Sequence, residues 1–132
     1  YPLPNNVRTT PTTTLYEVAR SRAPAVFIEL AYHDNPQDAA WIVGNLPAIA
    51  SNLAVSLTQF FGLPFISPSP QWWGAADISW GTLNIRAKPD ISAPIVARAY
   101  AGDKMLILGA WEDWYSVDFD GVLGYVSAQY IR

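Results

Sequence analysis

The stretch WYSVDFDGVLGYV, residues 114–126, decides the fold of the C-terminal half of the chain. It contains two runs of strand-forming residues, Trp114–Phe119 and Leu123–Val126, on either side of Asp120-Gly121. An Asp-Gly pair between two such runs is the strongest short-range signal of a β-hairpin. The sequence therefore predicts that the last two strands pair with each other.

More short runs of strand-forming residues precede this hairpin. They are Thr82–Arg86, Ile95–Ala99 and Lys104–Ala110, and Gly, Pro or Asp residues separate them. Five short strands with tight turns and no helix between them are typical of a small barrel. We therefore expect an all-β small barrel over residues 79–132.

The N-terminal half contains helix signals around one apolar run. Capping residues and prolines predict three helices, over residues 14–22, 35–43 and 47–61. Ala25–Leu30 is apolar on both faces, which is typical of a central strand in a parallel sheet. These signals predict an α/β fragment over residues 1–65, followed by a Pro- and Ser-rich linker over residues 66–78. A lone strand leaves its edges unpaired, so we expect a missing N-terminal part or a second chain to complete the fragment.

Bulk composition excludes several classes of function. The net charge is -3 and the eight basic residues are scattered, so no nucleic acid partner is expected. Cysteine is absent, which rules out disulfides and thiolate metal sites. The sequence has no uninterrupted apolar run of about 18 residues, so no membrane span is expected. The first residue is Tyr1 and the only methionine is Met105, so we expect further sequence upstream.

The C-terminal half strongly resembles a bacterial SH3 (SH3b) domain. The segments that carry the resemblance, in order, are Leu83–Arg86, Pro89, Ala93–Ile95, Gly102–Lys104, Trp111, Trp114–Val117, Gly124–Val126 and Tyr130-Ile131. Such domains are appended to bacterial cell-wall enzymes and are associated with binding of peptidoglycan peptides. The resemblance therefore implies that the all-β barrel of residues 79–132 is an SH3-like small barrel. It also implies peptidoglycan as a partner and an extracellular or cell-wall location.

The N-terminal half resembles the C-terminal part of the zinc-dependent N-acetylmuramoyl-L-alanine amidase domain. The resemblance rests on Val7-Arg8, Leu15–Val18, Ala23–Glu29, Asn35–Ala39, Ile49-Ala50 and Phe60–Gly62. In that family a zinc ion, held by two histidines and a glutamate, activates water to cleave the amide between the muramic acid lactyl group and L-alanine. A further glutamate assists proton transfer, and Glu29 matches its position. The resemblance thus implies a parent hydrolase with Glu29 as general acid/base.

The zinc ligands of that family have no counterpart here, because they lie on earlier strands and this chain has a single histidine, His33. Catalytic zinc normally takes three protein ligands. We therefore expect zinc in the parent enzyme, no metal site in this chain, and no activity from this chain alone. The alternative is a non-catalytic cell-wall-binding protein that acts through the SH3b domain.

Glu29 and His33 each have a structural alternative. Glu29 is either the acid/base of the parent enzyme, with a pKa raised by desolvation, or one half of an ion pair. The candidate ion-pair partners are Arg8, Arg20 and Arg22. His33 is expected to shape the loop beside Asp34, with a substrate contact as the alternative.

Aromatic residues of the predicted barrel are the candidate ligand contacts. Strand alternation places Tyr115, Val117 and Phe119 on the core face and Trp114 on the solvent face. The residues expected to form a binding groove with Trp114 are Trp80, Tyr100, Trp111 and Tyr125, which Tyr130 can join. The alternative is that these rings fill the core of a small barrel.

Two further pairs of residues carry separate expectations, one pair within the predicted barrel and one before it. Asn84 and Arg86 alternate with apolar residues and should point away from the core. We expect Arg86 to brace an acidic turn, at Asp90 or Asp120, rather than to bind a carboxylate of a wall peptide. Trp72 and Trp73 are expected to pack against a neighbouring unit.

Overall fold

The computed structural model describes all 132 residues, which form two compact units, Tyr1–Ser51 and Asn52–Arg132. Two α-helices are present, α1 (Tyr16–Ala19) and α2 (Pro36–Phe61). Six strands follow: β1 (Trp72–Ala75), β2 (Leu83–Arg86), β3 (Ile95–Ala99), β4 (Lys104–Trp111), β5 (Trp114–Phe119) and β6 (Val122–Ser127). Two short 3-10 helices, Pro4–Asn6 and Ala128–Tyr130, complete the elements.

All six strands belong to one antiparallel sheet with the order β1-β4-β5-β6-β2-β3. The C-terminal residues return to the chain just beyond β1, where Ala76 and Ile131 form an isolated antiparallel bridge. The Asp77 amide also donates to the Tyr130 carbonyl over 2.8 Å. This curled sheet is consistent with the predicted small barrel.

The predicted hairpin between β5 and β6 is confirmed. Phe119 pairs with Val122 across the two-residue turn. Asp120 and Gly121 both have positive φ, 52° and 83°. That combination matches the right-handed twist of the two strands, and Asp-Gly adopts it at low cost.

The hydrophobic core lies entirely within the second unit, Asn52–Arg132, which contains the sheet. Its largest fully buried side chains come from four strands and are Ile85, Met105, Ile107, Val117 and Val126. Tyr115 and Phe119 pack against this cluster. The predicted alternation along β5 is therefore confirmed, and so is that along β2, where Asn84 and Arg86 alternate with two buried residues.

The segment predicted as a linker, residues 66–78, contains strand β1. Residues Trp72–Ala75 pair with Lys104–Ile107 of β4. Trp72 packs edge-on against the ring of Tyr115, with centroids 5.7 Å apart. The linker interpretation failed because the prolines and serines before Trp72 resemble linker composition, whereas the paired residues of the partner strand lie 29–35 positions further along the chain.

The N-terminal half departs further from the sequence prediction. Helix α1 has one turn, and no side chain caps its N-terminus, so the predicted Thr14–Glu17 capping box does not form. The two later predicted helices are one helix, α2, which continues through Pro47. Proline removes a single N–H from the ladder, and the turns on both sides keep their own bonds. The predicted cap at Asn35 is confirmed, because its Oδ1 accepts from the Gln37 amide over 2.9 Å.

The predicted strand Ala25–Leu30 is not a strand in this structure. Its side chains are largely exposed, with Val26 at 82% and Phe27 at 54% exposure. A strand is defined by a ladder with a neighbour, and no other segment pairs with this one. The α/β class of residues 1–65 therefore stays a prediction.

By length and composition alone, helix α2 is apolar enough to cross a membrane, and none of the qualifying window is buried. The buried core helix of a soluble domain and a signal sequence satisfy the same length and composition. The expectation that the chain has no membrane span therefore stays a prediction.

Candidate functional site: an aromatic and acidic groove

A groove of about 650 Å³ lies on the surface of the sheet unit. Its walls are the segment 77–84 with Arg86, the β4–β5 turn, and the residues after β6. The lining residues used below are Asp77, Trp80, Arg86, Asp113, Trp114 and Tyr130. Its volume lies within the range of small-ligand pockets, about 300–1,000 Å³.

Three aromatic rings line this groove. Trp80 follows the short segment after β1, beside Gly81, which has a φ of 72°, and it is 87% exposed. Trp114 opens β5 on the face opposite the core and is half-buried. Tyr130 ends the C-terminal 3-10 helix and is 42% exposed. A large indole left almost fully in water offers wide contact area to a ligand.

Backbone hydrogen bonds fix the walls relative to each other. The Ala128 amide donates to the Asp113 carbonyl over 2.8 Å, which ties the β4–β5 turn to the C-terminal 3-10 helix. The bond from Asp77 to Tyr130 ties the opposite wall to the same helix. The groove is therefore built from the pairing of distant segments.

The charged side chains of the groove have different partners. Arg86 donates from Nη1 to the Ala93 carbonyl over 2.9 Å, so its guanidinium holds the β2–β3 turn. Asp77 lies 3.6 Å from Arg132, and both side chains are more than half exposed. Asp113 makes no side-chain hydrogen bond or ion pair. The groove therefore presents one carboxylate that is free to meet a ligand.

Residues 81–132 match the family of bacterial SH3 domains. This part of the chain is a bacterial SH3 domain.

Among solved structures, the chain is similar to NlpC2 and NlpC1 of Trichomonas vaginalis. The sequence identities are 17% and 19%, and the TM-score is 0.44 in both cases. Each alignment covers 48% of this chain but only 23% and 22% of the respective relatives, so this chain spans less than a quarter of their length. Likeness at this level carries no argument about function. No curated protein matches the chain.

The predicted groove residues of the SH3 domain fall into two groups. Trp80 and Trp114 lie together in the groove, where Tyr130 joins them. Tyr100, Trp111 and Tyr125 do not line it. Their role, like that of the first group, stays a prediction.

The three aromatic residues that do not line the groove lie in other parts of the domain. Tyr100 is exposed in the β3–β4 turn, where its amide donates to the Asp103 carboxylate over 2.7 Å. Trp111 ends β4 and is 39% exposed. Tyr125 is half-buried on β6, and burial raises the pKa of its phenol.

The sequence prediction missed the acidic lining of the SH3 groove. Asp77 lies in the segment 66–78, for which the sequence predicts a linker, and Asp113 lies in the short turn between two predicted strands. The signal that could have found Asp77 is the run Trp72–Ala75, which has strand-forming aromatics.

Outside the SH3 domain, Glu29 and His33 are both exposed and have no hydrogen-bond or ion-pair partner. Glu29 therefore makes no ion pair with Arg8, Arg20 or Arg22, and no side chain of this chain binds it as a catalytic partner. Its catalytic role stays a prediction.

Zinc, which the amidase resemblance implies, does not fit the residues of this chain. No group of three or more His, Cys, Asp or Glu side chains is placed to hold a metal ion. We therefore derive no reaction step through a metal.

Proposed function

We propose that the SH3 domain binds bacterial peptidoglycan through the groove that Trp80 borders. The observation that carries the proposal is the 87% exposed indole of Trp80, directly before the bacterial SH3 domain of residues 81–132, on a groove of about 650 Å³ that residues 77–80 line together with that domain. The resemblance of this domain to the wall-binding modules of cell-wall enzymes supports the choice of ligand. A cell-wall or extracellular location is part of the same proposal.

The test is co-sedimentation of the purified chain with insoluble peptidoglycan. Trp80→Ala should weaken binding about tenfold, because a central aromatic contact of this kind is worth ~1–2 kcal/mol. Trp73→Ala is the matched control, since Trp73 is 67% exposed but does not line the groove. Equal losses in both variants, or no sedimentation of the wild type, would overturn the proposal.

The finer proposal concerns the parent protein, a zinc-dependent N-acetylmuramoyl-L-alanine amidase in which Glu29 moves a proton at the scissile amide. Its support is the ordered motif series between Val7 and Gly62. In such an enzyme the zinc ligands lie on strands that come before the part of the domain that residues 7–62 resemble. The test is zinc analysis of this chain together with release of L-alanine peptides from peptidoglycan. Stoichiometric zinc and turnover by this chain alone would contradict the placement of the zinc ligands outside this chain.

The alternative proposal is a non-catalytic wall-binding protein. One observation favours it: the Glu29 side chain is exposed and has no hydrogen-bond or ion-pair partner. The two proposals differ in the residues that they require upstream of Tyr1. Two histidines and a glutamate at the amidase spacing upstream of Tyr1 would favour the enzyme.

A partner for the N-terminal unit also remains a proposal. The large apolar side chains of Ala25–Leu30 are exposed to solvent, and the segment pairs with no strand. This favours a further part of the domain or a second chain that would bury them. Light scattering and limited proteolysis test this. A stable monomer whose residues 1–65 resist protease would contradict it.

A further inference from the structure

The charge of the SH3 groove distinguishes between classes of ligand. Its ionisable side chains are Asp77, Arg86 and Asp113, apart from the tyrosine. Arg86 donates to the Ala93 carbonyl and its positive charge is attracted to the Asp90 carboxylate, while Asp77 lies 3.6 Å from Arg132 at the surface. Asp113 keeps an uncompensated negative charge, so the groove favours a cation over an anion.

The aromatic lining favours the same class. The π-face of an indole attracts a cation, and Trp80 presents one that is almost fully exposed. Trp114, adjacent in sequence to Asp113, places a second indole on the same groove. A carboxylate and two indoles together are suited to an ammonium group on a partly apolar stem.

We propose that the groove recognises a free primary amine on a peptidoglycan stem peptide, with Asp113 as its ionic partner. The inference rests on the proposed function and names the group that the site reads. A polysaccharide strand without amines would leave Asp113 unpaired, and an anionic ligand would be repelled. The cavity volume suits a short peptide segment.

The probe is peptidoglycan whose third stem residue carries a side-chain amine, compared with the same material after acetylation of its amines. Wild-type binding should fall about fivefold on acetylation, because neutralising one partner removes about 1 kcal/mol of a partly exposed ionic contact. High salt should reduce binding to the untreated material more than to the acetylated one.

Asp113→Asn supplies the decisive comparison. It should weaken binding to the untreated material about fivefold and leave binding to the acetylated material unchanged. The variant should fold, because the Asp113 carboxylate makes no bond within the chain. The matched control is Glu112→Gln, which removes the same charge from the same turn at a residue that does not line the groove.

The outcomes separate this inference from the proposed function. If Trp80→Ala abolishes sedimentation but acetylation and Asp113→Asn do not change it, the amine inference is wrong and the groove still binds peptidoglycan. If Glu112→Gln has the same effect as Asp113→Asn, the loss of a negative charge anywhere in this turn explains the result, and the inference is wrong. If the wild type binds neither material, both fail.

Discussion

Gly124 on β6 lies directly against the fully buried side chain of Ile85 on β2. A Cβ atom at residue 124 would come within 2.5 Å of Ile85 Cγ2 and 2.9 Å of the Arg86 carbonyl oxygen. Ile85 is a fully buried core side chain, and the Arg86 oxygen belongs to the backbone. A shift of either atom to make room for a Cβ would therefore lower the stability of the fold. The close approach of β6 to β2 therefore requires glycine.

Gly124→Ala should lower the free energy of unfolding of the sheet by about 1–3 kcal/mol, the usual cost of overpacking a dense core. Chemical denaturation followed by tryptophan fluorescence measures this. Gly44→Ala is the control, because a Cβ there meets nothing within 4 Å and alanine favours the helix. A Gly124→Ala midpoint equal to that of the wild type would show that β2 and β6 are further apart than described.

Asp90 should make the stability of the SH3 domain sensitive to acid. Hydrogen bonds from the Ser92 amide and Oγ, both 2.7 Å long, lower the pKa of the Asp90 carboxyl below its ordinary value of 3.8. A carboxyl with a lowered folded pKa stabilises the fold above its unfolded pKa, and this contribution is lost as the pH falls through the folded value.

Asp90→Asn should therefore flatten the dependence of Tm on pH below about pH 4, where the wild type loses this contribution. Thermal unfolding at several pH values between 2 and 6 measures the slope. If the variant and the wild type lose stability in parallel over that range, the Ser92 bonds do not act on the carboxylate as described.

The fold of the C-terminal half was predictable because its signals are local. Asp120-Gly121 defined a hairpin, and alternation along β5 assigned Val117 to the core, as the structure confirms. Strand β1 was missed because its pairing with β4 depends on residues 29–35 positions away. Ala25–Leu30 failed for the opposite reason, since a local apolar pattern favours a strand but cannot supply a neighbour.

The candidate site was predictable only in part. Alternation along β5, a local property, assigned Trp114 to the solvent face, whereas the exposure of Trp80 is known from the structure alone. The acidic lining depends on the pairing of Ala76 with Ile131. These two residues are far apart in the sequence, so no local pattern predicts their contact. Asp77 enters the groove through that pairing.

Lys88 should stabilise the C-terminal end of helix α2. Its Nζ donates to the Phe61 carbonyl over 3.1 Å, and Gly62, with a φ of 63°, ends the helix. A cation at this end interacts favourably with the helix dipole, typically by about 0.3–1 kcal/mol. Lys88→Met should therefore increase amide hydrogen exchange in the last turn of α2, measured by NMR. Lys104→Met is the control, since it removes an exposed lysine elsewhere, and equal exchange in the two variants would rule out the contact.

Tyr125 should make the SH3 domain lose stability at alkaline pH. Burial raises the pKa of its phenol above the ordinary value of 10.0, because the ionised form is poorly solvated there. A raised folded pKa means that the folded state holds the proton more tightly, so stability is intact below about pH 10 and falls as the pH rises above it. Tyr125→Phe should therefore unfold less readily than the wild type above pH 10, and the part of the phenolate absorbance change that occurs above pH 10 should be smaller. Tyr1, whose pKa is also raised by its hydrogen bond to Asp38, keeps its own contribution in the variant. If the late absorbance change is the same in both proteins, burial does not act on Tyr125 as described and the alkaline transition has another cause.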